Sequence, residues 1–347
     1  MIESRKDVFV SRFERSWVGG PDHSQIPAHG RIQDATGFLD KFTPPSVQKI
    51  IRIETGTFLY GGPMKVHFGH LLVDSVIRLW AFDPQVHKQV VFAKLQETKE
   101  PTDWIYEILR LFGVERHHIR LVRHTGVFEN MEFAVPGSRL GIGPSASYLE
   151  YLKNMPLERI SDTPKKVYFG RIHMVAKGTV IGESYFANTL EENGYVYLKP
   201  ETMNIHLQTS ILRNAETIVF MEGSSIYSIE LLTSVDAKIY MIPRRNGTTQ
   251  LFEPHVSPRA SFSVLGDPAM IVRRTNVRGK GGPSSPSYLL KPEALHQDMI
   301  SKGIITGPFS LSAYEQAERA DAYEYFGGDE KFADLQLNEI CAARRAL

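Results

Sequence analysis

The titratable residues His67, His70, Asp74 and Arg78 interrupt the mostly apolar run KVHFGHLLVDSVIRLWAF at residues 65–82. At about 100° per residue, a helix over this run puts Asp74 and Arg78 within roughly 20° of His67, and His70 about 60° away. The four share one edge, while Phe68, Leu72, Val76 and Leu79 fall on the far side. Burying such polar groups without partners is costly, so the stripe must pair internally or line a wet cleft. In a cleft, its carboxylate or imidazole can accept a proton near neutral pH. Two blander readings stay open: an Asp74–Arg78 pair at i,i+4 with the histidines on backbone carbonyls, and a metal site built on His67, His70 and Asp74.

A second candidate is TIVFMEGSSIYSIELL at residues 217–232, where an apolar strand runs through Glu222, Gly223, Ser224 and Ser225 directly into a helix. Glycine lets a ligand approach the backbone, and a serine-capped helix start aims its first N–H groups at an anion. A third is KKVYFGRIHMVAKG at residues 165–178, in which a strand delivers Arg171 at its carboxyl end with Lys177 shortly after. Two cations so placed can clamp a diphosphate. GIGP at residues 141–144 is too short for a dinucleotide fingerprint, and Pro144 obstructs one. His117 and His118 read as a solvated loop pair, and RGKGGPSSPS at residues 278–287 as a mobile connection or a substrate-gating loop.

The elements that must hold these residues alternate. KIIRIETGTFLYGG (49–62), QVVFAKL (89–95) and IRLVRHTGVF (119–128) read as strands, separated by the helix over 65–82 and a second over 102–114. A Gly-, Pro- and Ser-rich connection comes next, around residues 137–162. The pattern then restarts, with strands at 165–171, 195–200, 217–222 and 238–244 and helices at 184–194, 201–215 and 224–234. This is α/β organisation with parallel sheets. It predicts one Rossmann-like domain over residues 1–150, a second over 151–265, and a partly helical extension over 266–347 that packs back across them.

The 347 residues include 40 basic and 39 acidic side chains, which leaves no broad electrostatic footprint for nucleic acid. The single cysteine, Cys341, excludes an internal disulfide and a cysteine-based zinc site, and it suits a reducing, cytoplasmic setting. The N-terminus lacks the apolar core of a signal peptide, and no window approaches the roughly 18 apolar residues of a membrane span.

Three of these motifs, taken in order, resemble glycosyltransferase family 61. GGPMKVHFGHLLVDSVIRLWAF is similar to the family segment in which a histidine precedes an aspartate by four positions, here His70 and Asp74. VYFGRIHMVAKGTVIGE is similar to its strand, arginine and basic loop, with Arg171 and Lys177 at the matching places. The run from Glu192 to Leu232 is similar to its glutamine-bearing helix, strand and glycine-centred turn, matched by Gln208, Ala215 and Glu222-Gly223-Ser224-Ser225. The chain departs from the family at His67, where asparagine is common, and at Gly170, where serine is frequent. Its EGSS turn resembles bacterial capsule-type members more than eukaryotic ones.

The resemblance implies a GT-B architecture, two Rossmann-like domains facing across a cleft, and an inverting, metal-independent enzyme. The expected partners are a nucleotide sugar and an oligo- or polysaccharide acceptor in bacterial surface or capsular polysaccharide synthesis, without nucleic acid or cofactor. Location is expected in the cytoplasm, with peripheral contact at the inner membrane face. No Asp-x-Asp triplet occurs in the chain, so protein cations must meet the leaving diphosphate if no metal does. Asp74 or His70 is the base, with Asp74 favoured and His70 orienting it or the acceptor; His67 and Arg78 line the acceptor side or cleft, and Arg171, Lys177, Gly223, Ser224 and Ser225 hold the donor. Glu222 is expected on a donor hydroxyl. A non-catalytic nucleotide- or glycan-binding relative and an NAD(P)-dependent oxidoreductase are the competing readings; the second lacks a G-x-G-x-x-G turn.

Overall fold

The computed structural model describes residues 2–10, 18–19, 52–94, 100–123, 126–276, 281–282 and 285–347. Residues 49–51, 95 and 124–125 of the expected strands, and residues 278–280 and 283–284 of the expected mobile connection or gating loop, lie outside the described residues. The chain divides into two compact units, residues 1–158 with 227–233, and residues 159–226 with 234–347.

In the first unit, β1 (Ile2–Val10), β2 (Val18–Gly19), β3 (Arg52–Met64), β4 (Gln89–Lys94), β5 (Ile119–Val122) and β6 (Gly126–Ala134) form one sheet in the order β2-β1-β6-β3-β4-β5. The β6-β3-β4-β5 stretch is parallel, whereas β1 runs antiparallel to both β6 and β2. Consecutive Phe58, Leu59 and Tyr60 are all fully buried, as expected of a central parallel strand covered on both faces. The single strand expected over 119–128 is two, because β5 and β6 pair with different neighbours.

The Gly61-Gly62 pair does not end β3. The register with β4 skips Gly61, a β-bulge, and the strand continues to Met64. Only glycine fits there: a Cβ on Gly61 would lie 2.4 Å from the Phe92 ring. A bulge bends its strand and re-aims the side chains beyond it, here Lys65.

The segment after β3 is helical but not one α-helix. It comprises α1 (Phe68–His70), a π-turn over Leu71–Ser75 and a 3₁₀ stretch over Val76–Ala81. Leu72, Val76 and Leu79 are fully buried, as the pattern predicts. The single 100° phase fails because π and 3₁₀ turns differ from an α-helix in residues per turn; within them the Arg78 guanidinium donates to the Asp74 carbonyl at 2.9 Å. The unit is completed by α2 (Asp103–Arg110), the short β7 (Ser138–Arg139) and β8 (Gly143–Pro144), and α3 (Ala146–Leu152).

The second unit has β9 (Lys166–Phe169), β10 (Val180–Ile181), α4 (Glu183–Glu192), β11 (Val196–Leu198), α5 (Ile205–Asn214), β12 (Thr217–Met221), β13 (Lys238–Ile242), α6 (Glu253–Val256), β14 (Ser261–Val264), β15 (Ile271–Arg273), β16 (Ser287–Leu289), α7 (Pro292–Ser301), α8 (Leu311–Tyr325) and α9 (Glu330–Arg345). Its main sheet is wholly parallel in the order β11-β9-β12-β13-β14. Counted from β9, this is 2-1-3-4-5, a doubly wound arrangement whose order reverses between β9 and β12. Residues 266–347 belong to this unit: α8 packs on α4, and Arg344 of α9 donates to Glu318 of α8 at 2.6 Å.

Candidate active site

The first unit gathers His67, His70 and Asp74. The His70 Nδ1 lies 2.9 Å from Asp74 Oδ2, and the same oxygen accepts from Lys65 Nζ at 2.7 Å. Lys65 reaches Asp74 from the end of β3, just past the bulge. The His67 and His70 rings stand 5.0 Å apart, with His67 exposed and His70 half-buried. Burial pushes the Asp74 carboxyl up, but the His70 contact and the Lys65 charge outweigh it and hold the group well below the usual carboxylate range. An ionised carboxylate only accepts hydrogen bonds, so His70 Nδ1 carries the hydrogen, the tautomer that in a neutral ring leaves Nε2 as the acceptor. The expected Asp74–Arg78 side-chain pair is not what forms, because Arg78 engages the Asp74 backbone instead. Among the described residues, no group of three or more His, Cys, Asp or Glu is arranged to hold a metal ion, so the His67, His70 and Asp74 metal reading has no donor set. Asp74 sits in the π-turn, a distortion that recurs at functional sites.

In the second unit, the carboxyl ends of β9 and β12 lie side by side, and each contributes a predicted residue. Arg171 comes after β9, and Gly223 after β12. A Cβ on Gly223 would come within 2.8 Å of Arg171 Nη1, so glycine there is what admits the guanidinium. Arg171 Nη2 donates to the Lys177 carbonyl at 3.3 Å, while its buried Nε has no hydrogen-bond partner among the described residues. The Lys177 side chain is exposed. Ser224 and Ser225 are half-buried at the start of Ser224–Leu231, which is a 3₁₀ helix rather than the expected α-helix. The N–H groups after Gly223 therefore open a tighter turn than an α-helix offers.

Glu222 differs most from expectation. It is fully buried, and both carboxylate oxygens are engaged: Oε1 by Arg245 Nε at 2.8 Å and Nη2 at 2.5 Å, Oε2 by Arg244 N and Thr248 Oγ1, both at 2.8 Å. That carboxylate anchors two arginines and is not open to a donor hydroxyl. Arg244 also donates from Nε to the Glu222 carbonyl at 2.9 Å and from Nη1 to the Gly178 carbonyl at 2.7 Å. Burial, then the charges of Arg171, Arg245 and Arg273, push Arg244 down to about 10. Burial and the charge of Arg245 likewise lower Arg171. Mutual repulsion among cations is relieved when an anion binds between them.

Sequence reasoning missed Arg244, Arg245, Lys65 and Glu183. The usable signal for the arginine pair was its place directly after a strand of the parallel sheet, where ligand-facing loops emerge. Glu183 opens α4, is fully buried, and accepts from Tyr168 Oη at 2.9 Å, from Thr179 Oγ1 at 3.2 Å and from the Arg171 backbone N–H. It ties both ends of the loop bearing Arg171 and Lys177.

Burial raises the Glu183 carboxyl from 4.5 to about 7, against the opposing bonds from Arg171 and Tyr168. The folded chain thus holds this proton more tightly than the unfolded one. The resulting stability is fully present below pH 4.5 and lost as pH rises through about 7. Its size is on the order of 3 kcal/mol. Glu183→Gln is expected to abolish this decline: its amide keeps the Oε1 acceptor and can donate to Thr179, whose hydroxyl accepts equally well. Denaturant midpoints of both proteins between pH 5 and 8 check it; parallel curves would show that Glu183 does not titrate there.

Among the described residues, no helix is long and apolar enough to cross a membrane. No curated protein matches the chain. The family model described as Glycosyltransferase 61 matches residues 68–232, a span that includes His70, Asp74, Arg171, Glu183 and the Glu222–Ser225 turn. The chain carries a glycosyltransferase 61 domain and is a glycosyltransferase.

Proposed function

We propose that this enzyme moves a sugar from a nucleotide-sugar donor to a glycan acceptor of a bacterial surface polysaccharide, in one inverting displacement on a GT-B framework in the cytoplasm. The observation that carries the reading is the set of three arginines, Arg171, Arg244 and Arg245, gathered around Glu222 and Gly223 at the point where the strand order reverses. Open parallel sheets bind ligands at that point.

In this reading His70, not Asp74, is the base. Asp74 is held too acidic to take a proton readily, and its contact with Nδ1 points the imidazole's lone pair outward at Nε2. The acceptor hydroxyl gives its proton to Nε2 as its oxygen bonds to the anomeric carbon. The bond from that carbon to the diphosphate breaks, and its electron pair leaves on the diphosphate oxygen. Asp74 steadies the imidazolium that forms. The departing charge is met by Arg171, Arg244, Arg245, the exposed Lys177 and the N–H groups of Ser224 and Ser225, which do the work a divalent cation does elsewhere. Glu222 and Glu183 position these donors through hydrogen bonds.

Melting temperatures measured with nucleoside mono- and diphosphates, with and without EDTA, test the reading. At least one diphosphate at about 100 times its Kd should stabilise the protein by about 2.7 kcal/mol. The shift should persist in EDTA and vanish in Arg171→Ala. Stabilisation by NAD(P) in place of any diphosphate would overturn the reading, and so would an unchanged response in the variant.

A further inference from the structure

The first unit contains a cavity of about 500 Å³ that the His70–Asp74 dyad does not use, lined by Trp80, Arg139, Ile142, Tyr148 and Tyr151 among others. This volume lies within the range of small-ligand pockets. Its aromatic wall is fixed in place. The Trp80 indole N–H donates to the Val135 carbonyl at 3.0 Å, and the Tyr148 and Tyr151 rings lie 6.1 Å apart and 9° from parallel. Phe112 extends the stack behind Tyr151 at 6.3 Å and 14°. Ile142 is 49% exposed and Val135 43% exposed, so the apolar rim is open.

The cavity's charge is Arg139. Among the described residues no carboxylate pairs with this side chain, and its charge adds to the larger effect of burial in lowering the Arg78 guanidinium. A half-buried cation beside a second, buried one is a place where an anion is favoured. A flat aromatic wall beside it suits the apolar C–H face of a pyranose, as aromatic side chains combine large contact area with fixed geometry.

The cavity is also tied to the candidate base. Trp80 lies near the end of the same helical segment that carries His70 and Asp74, and the Gly137 N–H donates to the Ile77 carbonyl of that segment at 2.8 Å. A ligand held by Trp80 is therefore held at a fixed offset from the dyad.

We propose that this cavity is an acceptor subsite for an acidic sugar, its carboxylate on Arg139 and its ring face on Trp80. The assignment rests on the glycosyl-transfer reading above and narrows the acceptor to a uronate-containing glycan. Calorimetric titration of the full chain with trisaccharides of glucuronate, galacturonate and mannuronate, each beside its neutral glucose, galactose or mannose counterpart, tests it. At least one acidic trisaccharide should bind about tenfold more tightly than its counterpart. Arg139→Gln should erase that preference, and Trp80→Ala should weaken both members of the pair about tenfold. Nucleoside diphosphate stabilisation should be unchanged in both variants, which also shows that they fold. Absence of acidic-sugar binding by the unaltered protein, or a preference that survives Arg139→Gln, would refute the subsite. Loss of diphosphate binding by the unaltered protein would instead refute the transfer reading, so the two failures are distinguishable.

Discussion

His70→Ala is expected to lower kcat for sugar transfer by about 10²–10⁴-fold, the usual contribution of a positioned general base, while nucleoside diphosphates stabilise the variant as they do the parent. The split reflects where the residue sits. His70 belongs to the first unit and touches Asp74, whereas the arginine cluster is built wholly from residues of the second. Removing the imidazole takes away Nε2 as the proton acceptor, while the Asp74 carboxylate loses its His70 contact and stays engaged by Lys65. Asp74→Asn should also slow transfer, because the amide can donate to Nδ1 and turn the imidazole to the wrong tautomer. Steady-state transfer assays on both variants decide between the two residues. If His70→Ala kept more than about a tenth of the parent rate, against the expected loss, while Asp74→Asn lost nearly all of it, the base would be Asp74.

Glu222→Ala is expected to cost about 3–5 kcal/mol of folding stability, the range for removing one partner of a buried ion pair. The carboxylate is fully buried and accepts bonds from Arg245, Thr248 and the Arg244 backbone, so its loss strands the buried Arg244 N–H and Thr248 hydroxyl and releases the half-buried Arg245. Diphosphate stabilisation should disappear with it, because Arg245 loses both of its bonds to Oε1. Glu222→Gln should fall between, as the amide oxygen still serves one side of the cluster. Guanidinium denaturation and a diphosphate thermal shift on the same samples measure both effects. A loss below about 1 kcal/mol would mean that the anchor is dispensable, since truncating a buried ion pair costs several times that.

Some of the candidate site's geometry was legible because it is local. His70 and Asp74 are four residues apart, close enough to meet in any helical turn, so their contact survives the change from an α-helix to a π-turn. Apolar runs such as Val219–Met221 marked buried strands, and a strand leading at once into a charged or glycine turn marked Arg171 and Gly223. The phase of Arg78 was not legible, because the switch from α to π and 3₁₀ turns leaves no mark in the apolar pattern. Nor was the role of Glu222: a carboxylate beside a glycine turn looks the same in sequence whether it faces a ligand or two arginines.

By itself, then, the sequence determined the alternation of strands and helices, the apolar cores of the central strands and the neighbours within one turn, since these depend on burial pattern and short-range geometry. Only the tertiary structure decided that β9 lies against β12 and β12 against β13, bringing Arg171, Gly223, Glu222, Arg244 and Arg245 into one cluster. Strand pairing is a long-range choice among edges with similar apolar faces, and nothing in a single strand's residues names its partner.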